Sequence, residues 1–161
     1  MNDARFDALT ASREVFFAEW ARARRELDTA FAGLTPADLE IEGMTGSWNG
    51  RLTLVHIARW DETTTAMILR NALGVLPDVN EYDGYEQWNL VWADIDADIT
   101  LGAAWQRYHS AHEAIVRTMR HLPDEAWNDY VRGWVREASL NHYRHHAETT
   151  TRWREERGQG S

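Results

Sequence analysis

Apolar residues recur along this chain at helical spacing. From the N-terminus they fall at Phe6, Leu9, Phe16, Trp20, Ala23, Leu27, Phe31 and Leu34, in steps that keep one face of an amphipathic helix. The sequence AGLTPADL then predicts a stop at Gly33 and a fresh turn at Thr35-Pro36, with Asp38 closing it. After the loop-like EGMTGSWNG, a second helix is expected from about Arg51 to Leu73, ended by Gly74 and Pro77. The segment PDVNEYDG reads as turns, and a shorter helix follows over Tyr85 to Ile95. Thr100 is placed to cap a third long helix carrying Leu101, Trp105, Tyr108, His112, Ile115, Val116 and Met119. Pro123 breaks it, a last helix is expected from about Arg132 to Glu156, and GQGS reads as a frayed tail. Valine and isoleucine are too scattered for strand patterns. The expectation is an all-α single domain over residues 1–161, a four-helix bundle with a short extra helix in the second crossover.

Composition narrows the chemistry. The chain has no cysteine, and all 17 basic residues are arginine. Disulfides, thiolate ligands and lysine Schiff bases are thereby excluded. With a net charge of −9, binding to a phosphate backbone is disfavoured. Arg22, Arg24 and Arg25 are flanked by Glu19, Glu26 and Asp28 and read as a solvated helix face. No apolar run reaches the ~20 residues of a membrane span, and no signal peptide is visible, so cytoplasmic residence is expected. Nine tryptophans are many for 161 residues. Most should pack in the core, some should line a pocket, and the surplus is compatible with one face buried in a homodimer.

Three of the seven histidines fall within NHYRHH, residues 141–146. At about 100° per residue, Val135, Ala138, His146, Thr149 and Trp153 all lie within about 40° of His142. His142 and His146 therefore face inward, and His145 falls to the edge and is expected to face water. The second helix places His56 between Leu52 and Trp60 on its own buried face. Each inward imidazole needs a partner. Separate backbone carbonyls or carboxylates would serve, and so would one shared ion, since i and i+4 histidines with a third from a facing helix make a three-histidine site. The inward placement of His56 favours the ion. His112 reads as a core histidine, and His121 suits the end of its helix. Asp61 and Glu62 are expected to point away from His56, and no general base stands out.

Three stretches carry a resemblance. SWNGRLTLVHIARWDE, NHYRHHAE and AHEAIVRTMRHLPDEAW are similar to the DinB-like four-helix bundles, also described with the YfiT-like metal-dependent hydrolases. The resemblance implies His56, His142 and His146 as metal ligands. It also implies chemistry on an electrophile, either by transfer of a low-molecular-weight thiol such as bacillithiol or mycothiol, by isomerisation of maleylpyruvate, or by hydrolysis. The Trp88-Asn89 element resembles the colibactin self-protection branch, from which this chain departs by having His56 and a complete HxxxH.

The expected function is thus a metal-dependent enzyme acting on an electrophilic small molecule in detoxification or self-resistance. A zinc or nickel ion would be held by His56, His142 and His146, with a thiol or water as nucleophile. Trp48, Trp60, Trp88, Asn89 and Trp92 are the pocket candidates, and Arg59 is placed to receive a substrate carboxylate. The alternatives are a binding protein that sequesters a reactive metabolite, a metal-free hydrolase of the cyclopropane-opening kind, and a scaffold whose histidines complete a polar core.

Overall fold

The computed structural model describes residue 7, residues 11–75 and residues 84–158. Phe6 and Leu9 of the first apolar stripe, most of the PDVNEYDG turn and the last residues of the GQGS tail lie outside them. The fold is all-α, and among the described residues the one β-type feature is an isolated Thr45–Trp48 bridge. The helices are α1 (Arg13–Phe31), α2 (Pro36–Leu39), α3 (Gly50–Ala72), α4 (Tyr85–Ile95), α5 (Leu101–His121), α6 (Asp129–Val135) and α7 (His142–Glu156).

The starts and stops obey local chemistry. Ser12, Asn49, Thr100 and Asn128 each accept a hydrogen bond from an amide in the first turn of α1, α3, α5 and α6. Thr35 and Asp38 form a reciprocal capping box at α2. At Gly50 the requirement is steric. A Cβ there would come within 2.5 Å of Leu39 Cδ2 and 3.2 Å of Leu39 Cα, so α2 seats closely against the start of α3 and any larger residue would displace the Leu39 side chain.

α3 runs along α5 and α1 along α7, and one core joins them. Phe16, Trp20 and Leu27 of α1, Leu54, Ile57 and Ile68 of α3, and Tyr108, Ile115 and Met119 of α5 meet Val131, Val135, Leu140 and Tyr143 from the C-terminal segment. α4 lies in the crossover and buries no residue fully. No helix among the described residues is long and apolar enough to cross a membrane.

The C-terminal segment corrects one expectation. In place of a single α-helix from Arg132 to Glu156, α6 and α7 are joined by a π-helical turn over Arg136–Asn141. A π turn pairs residues five apart, so it holds one residue more than an α turn and rotates the helix on one side of it relative to the helix on the other. A uniform 3.6-residue wheel cannot register this.

The charge pattern is corrected at Arg24. It does not join a solvated face; it is buried, 4% exposed, inside a polar network that spans the core. Its guanidinium lies 3.7 Å from the centre of the Tyr108 ring, bonds Asp28 at 3.0 Å and approaches Asp61 at 4.0 Å. Asp61, with no exposed surface, accepts hydrogen bonds from Tyr143 Oη at 2.5 Å and Ser139 Oγ at 2.9 Å. Ser139 accepts from Trp20 Nε1, and His112 Nδ1 meets the Tyr143 hydroxyl at 2.9 Å. Burial pushes the Asp61 carboxyl up to about 7, against the pull of Tyr143, Arg24 and Ser139. Burial, aided by Arg24, lowers His112 to about 3.

The network can be tested by substitution and by pH. Asp61→Ala leaves the buried hydroxyls of Tyr143 and Ser139 without this acceptor, removes a carboxyl 4.0 Å from Arg24, and should cost about 3 kcal/mol of stability in urea unfolding. Asp61→Asn, which keeps an acceptor, should cost less, and a loss below about 1 kcal/mol for the alanine variant would show that the network is dispensable. The His112 shift has a definite sign. An unfolded histidine titrates near 6.5 and the folded one near 3, so between these values only the unfolded chain gains a proton, and stability falls as pH drops. Wild type should therefore lose stability relative to His112→Gln from pH 6.5 downward, by up to about 1.4 kcal/mol per pH unit. Parallel stability curves for the two proteins would contradict the assignment. Asp61 acts in the opposite sense, because its raised value favours the folded state below about 4 and that benefit is lost as pH rises through about 7.

Candidate functional site

His56 comes from the second turn of α3, and His142 and His146 stack one turn apart at the start of α7. Their side chains converge. His56 Nε2 and His146 Nε2 each lie 2.9 Å from His142 Nε2, and one ring nitrogen from each of the three falls within 4.8 Å of the others. Among the described residues this is the one group of three or more potential ligands brought together in this way.

The chemistry of the three rings fits a cation. A neutral Nε2 offers either one N–H or one lone pair, so His142 Nε2 cannot hydrogen-bond well to two imidazole nitrogens at once. Relief by protonation is opposed. Burial, then His145, lowers His56 to about 4, and burial together with the neighbouring imidazoles holds His142 and His146 well below the ordinary value. The opposite ring atoms give little compensation, since Nδ1 of His56 has no partner and Nδ1 of His142 has only the Ala138 carbonyl nearby, outside good hydrogen-bond geometry. A positive charge between the three Nε2 atoms would relieve this crowding by accepting their lone pairs. For an ion bound at about 2.1 Å, neighbouring nitrogens stand about 3.0–3.4 Å apart, close to the two short edges seen here. The described residues therefore include a group able to hold a metal ion.

The loop before α3 docks on both histidine-bearing helices. Gly46, at φ +59°, closes the tight turn between Thr45 and Trp48, a backbone conformation that side chains rarely tolerate. The turn directs Thr45 Oγ1 toward His146 Nδ1 at 3.4 Å and sets the Trp48 ring 4.9 Å from His56. Thr53 of α3 holds Thr45 in turn.

The histidines form the floor of a cavity of about 1050 Å³. Its walls are aromatic: Trp48, Trp60, Tyr85, Trp88, Tyr130 and Trp134, with Asn89 and Leu90 from α4. Asn89 accepts a hydrogen bond from Trp60 Nε1 at 3.0 Å and so fixes that ring over the site. Trp48, Trp60, Trp88 and Asn89 are thus all brought to the cavity. Trp92 is not; it packs edge-on against Trp60 and beside Trp88, supporting the wall from behind. Arg59 does not line the cavity either. Asp96 grips it through two hydrogen bonds of 2.9 and 3.0 Å, which occupy the Nε/Nη2 side of the guanidinium and hold it against α4. His145 is exposed as expected, yet it is part of the cavity wall beside His146. Asp61 is committed to Tyr143 and Ser139, and Glu62 to Arg107.

Sequence reasoning missed Glu137, Tyr130 and Trp134, which line the same cavity as His142. On a regular helix Glu137 lies about 140° from His142. Five residues apart across a π turn, the two come to one side, so the signal was an i, i+5 relation that α-helical spacing hides.

Comparison of the chain with known protein families, curated proteins and solved structures finds no match in any of the three.

The desolvated His56 imidazole should remain neutral through most of the acid range. In metal-free protein, nuclear magnetic resonance titration of its ring protons should give a midpoint near 4. A midpoint near 6.5 would mean that water reaches the ring freely.

Proposed function

We propose that this protein is a metal-dependent enzyme that acts on an electrophilic small molecule held in the aromatic cavity. The observation that carries the reading is the convergence of His56, His142 and His146 at the floor of a cavity large enough for a drug-sized ligand. The likeness of the flanking stretches to the DinB-like family supports it from the sequence side.

In this reading the three histidines hold a divalent ion, zinc or nickel. When bound, such an ion supplies a Lewis acid that lowers the pKa of a water or a low-molecular-weight thiol co-substrate. The chain's own groups do the rest. Thr45 orients His146 through Nδ1 and keeps Nε2 directed at the site. Trp60, fixed by Asn89, and Trp48, seated on His56, bind the apolar body of the substrate and exclude water from the floor. His145, exposed in the wall beside His146, is the imidazole placed to pass a proton between the cavity and solvent. Water-driven opening and thiol transfer both fit this arrangement.

A second reading, sequestration without turnover, draws on the aromatic walls, which would bind a ligand whether or not the histidines hold an ion. Product analysis separates the two, because sequestration returns the ligand unchanged.

Elemental analysis by inductively coupled plasma mass spectrometry tests the metal. Untagged protein, purified without a metal-affinity column, should carry close to one divalent ion per chain, and His56→Ala and His142→Ala should lose it. His145→Ala should keep it. Absence of metal from wild type even after reconstitution would overturn the proposal and move the binding protein, or a metal-free hydrolase, to the front.

A further inference from the structure

The cavity also constrains the charge of the ligand it takes. Among the described residues six aromatic rings form its walls, the three histidines lie at its floor, and the formally charged wall residues are Asp129 and Glu137. No arginine belongs to the described lining, and the chain contains no lysine. Arg59 lies outside that lining and is clasped by Asp96, which also accepts from Arg107 at 3.2 Å. Among the described lining residues an anionic ligand would face two carboxylates and no arginine.

A cation meets the reverse situation. Aromatic faces attract positive charge, and two carboxylates stand where the wall reaches solvent. The side chains of Asp129 and Glu137 are exposed, whereas His146 is 1% exposed, so the cavity runs from a buried histidine floor to an acidic mouth. Glu137 already contacts Arg136 at 2.6 Å and Asn141 at 3.2 Å, and Asp129 lies 3.9 Å from Arg132. These partners are not part of the cavity lining, and a carboxylate with two oxygens keeps further acceptor positions open.

We propose that the cavity takes a bulky aromatic ligand bearing a protonated amine, its ring system among Trp48, Trp60, Trp88 and Trp134 and its ammonium at Glu137 and Asp129. This rests on reading the cavity as the ligand site of the proposed enzyme. It places the reacting end of the molecule at the histidines and the charged end at the mouth. It also disfavours carboxylate-rich molecules as the main substrate.

The test is isothermal titration calorimetry at pH 7 with three probes of one shape: 2-naphthylmethylamine, 2-naphthalenemethanol and 2-naphthylacetate. Each is titrated into protein as purified and into chelator-treated protein, so that carboxylate coordination to a metal is not mistaken for a preference of the walls. The amine should bind at least tenfold more tightly than the acetate in both forms, with the alcohol between them. The double variant Glu137→Gln/Asp129→Asn should lower the amine to the affinity of the alcohol and leave the alcohol unchanged. Equal or tighter binding of the acetate to chelator-treated protein would overturn the proposal, as would a double variant without effect or failure of all three probes to bind. The two readings fail separately. Metal-free protein that still prefers the amine removes the metal and keeps the ligand class, whereas metal-loaded protein without the preference does the opposite.

Discussion

A carboxylate with no exposed surface, Asp61, is the constraint on which the rest of the structure depends. A buried carboxyl is tolerated only with its acceptor positions filled. Asp61 fills them with Tyr143 and Ser139, and through these partners and Arg24 it reaches Trp20, Asp28, Tyr108 and His112. Those residues come from α1, α3, α5 and the C-terminal segment, so one polar network crosses the apolar core and fixes how the helices are rotated about their own axes. Apolar packing alone tolerates small rotations, because one large hydrophobic contact exchanges for another at little cost. A hydrogen-bonded carboxylate does not, since slippage breaks a bond that water cannot replace.

The same constraint reaches the histidines through the backbone. Tyr143 adjoins His142 in the chain, and Ser139 belongs to the π turn that leads into α7. Holding both side chains on Asp61 fixes the position of the π turn and therefore the direction of His142 and His146. From the other side, Asp61 and His56 share α3 and lie on different faces of it, one toward the network and one toward the cavity. The helices thus present two polar surfaces back to back: a network in the core that fills the acceptor positions of Asp61, and three imidazoles at the cavity floor whose Nε2 atoms crowd one another while Nδ1 of His56 and of His142 lacks a partner. The crowding of three Nε2 atoms, in a fold that bonds the buried Asp61 on both oxygens, is the contrast on which the proposed metal site rests.

Much of this was legible in the sequence, and the features that were not share a cause. The helix start at Thr100 was visible because capping is local, requiring only the right oxygen before the right amide. The convergence of His56, His142 and His146 was visible because it needs only helical periodicity within α3 and within α7. The π turn was not visible, and with it went Glu137, since a change of helical register leaves no mark in an apolar stripe whose members remain buried on both sides of it. Arg24 was misread because its neighbours in sequence are charged, while the residues that justify its burial, Tyr108 and Asp61, are distant in sequence and meet it only once the helices pack. Arg59 was misread for the same reason, its partner Asp96 lying beyond the crossover.

α4 shows how the cavity becomes more than a gap between helices. This helix buries no residue fully, and Tyr85, Trp88, Leu90, Val91 and Ile95 are all exposed, so it contributes little to the core. Its attachment is specific instead: Asn89 to Trp60, Trp92 to Trp60, and Asp96, at its C-terminal cap, to Arg59 and Arg107. Each of these contacts stabilises the wall of the cavity on the side facing the histidines. Arg59, which a sequence reading would assign to the substrate, is more useful to the protein as the clamp that holds this wall in place. The cost of that clamp is the loss of a free cation near the site. Among the described residues the cavity lining holds aromatic rings and no arginine, and the Arg59–Asp96 pair that gives the wall its shape stands outside it.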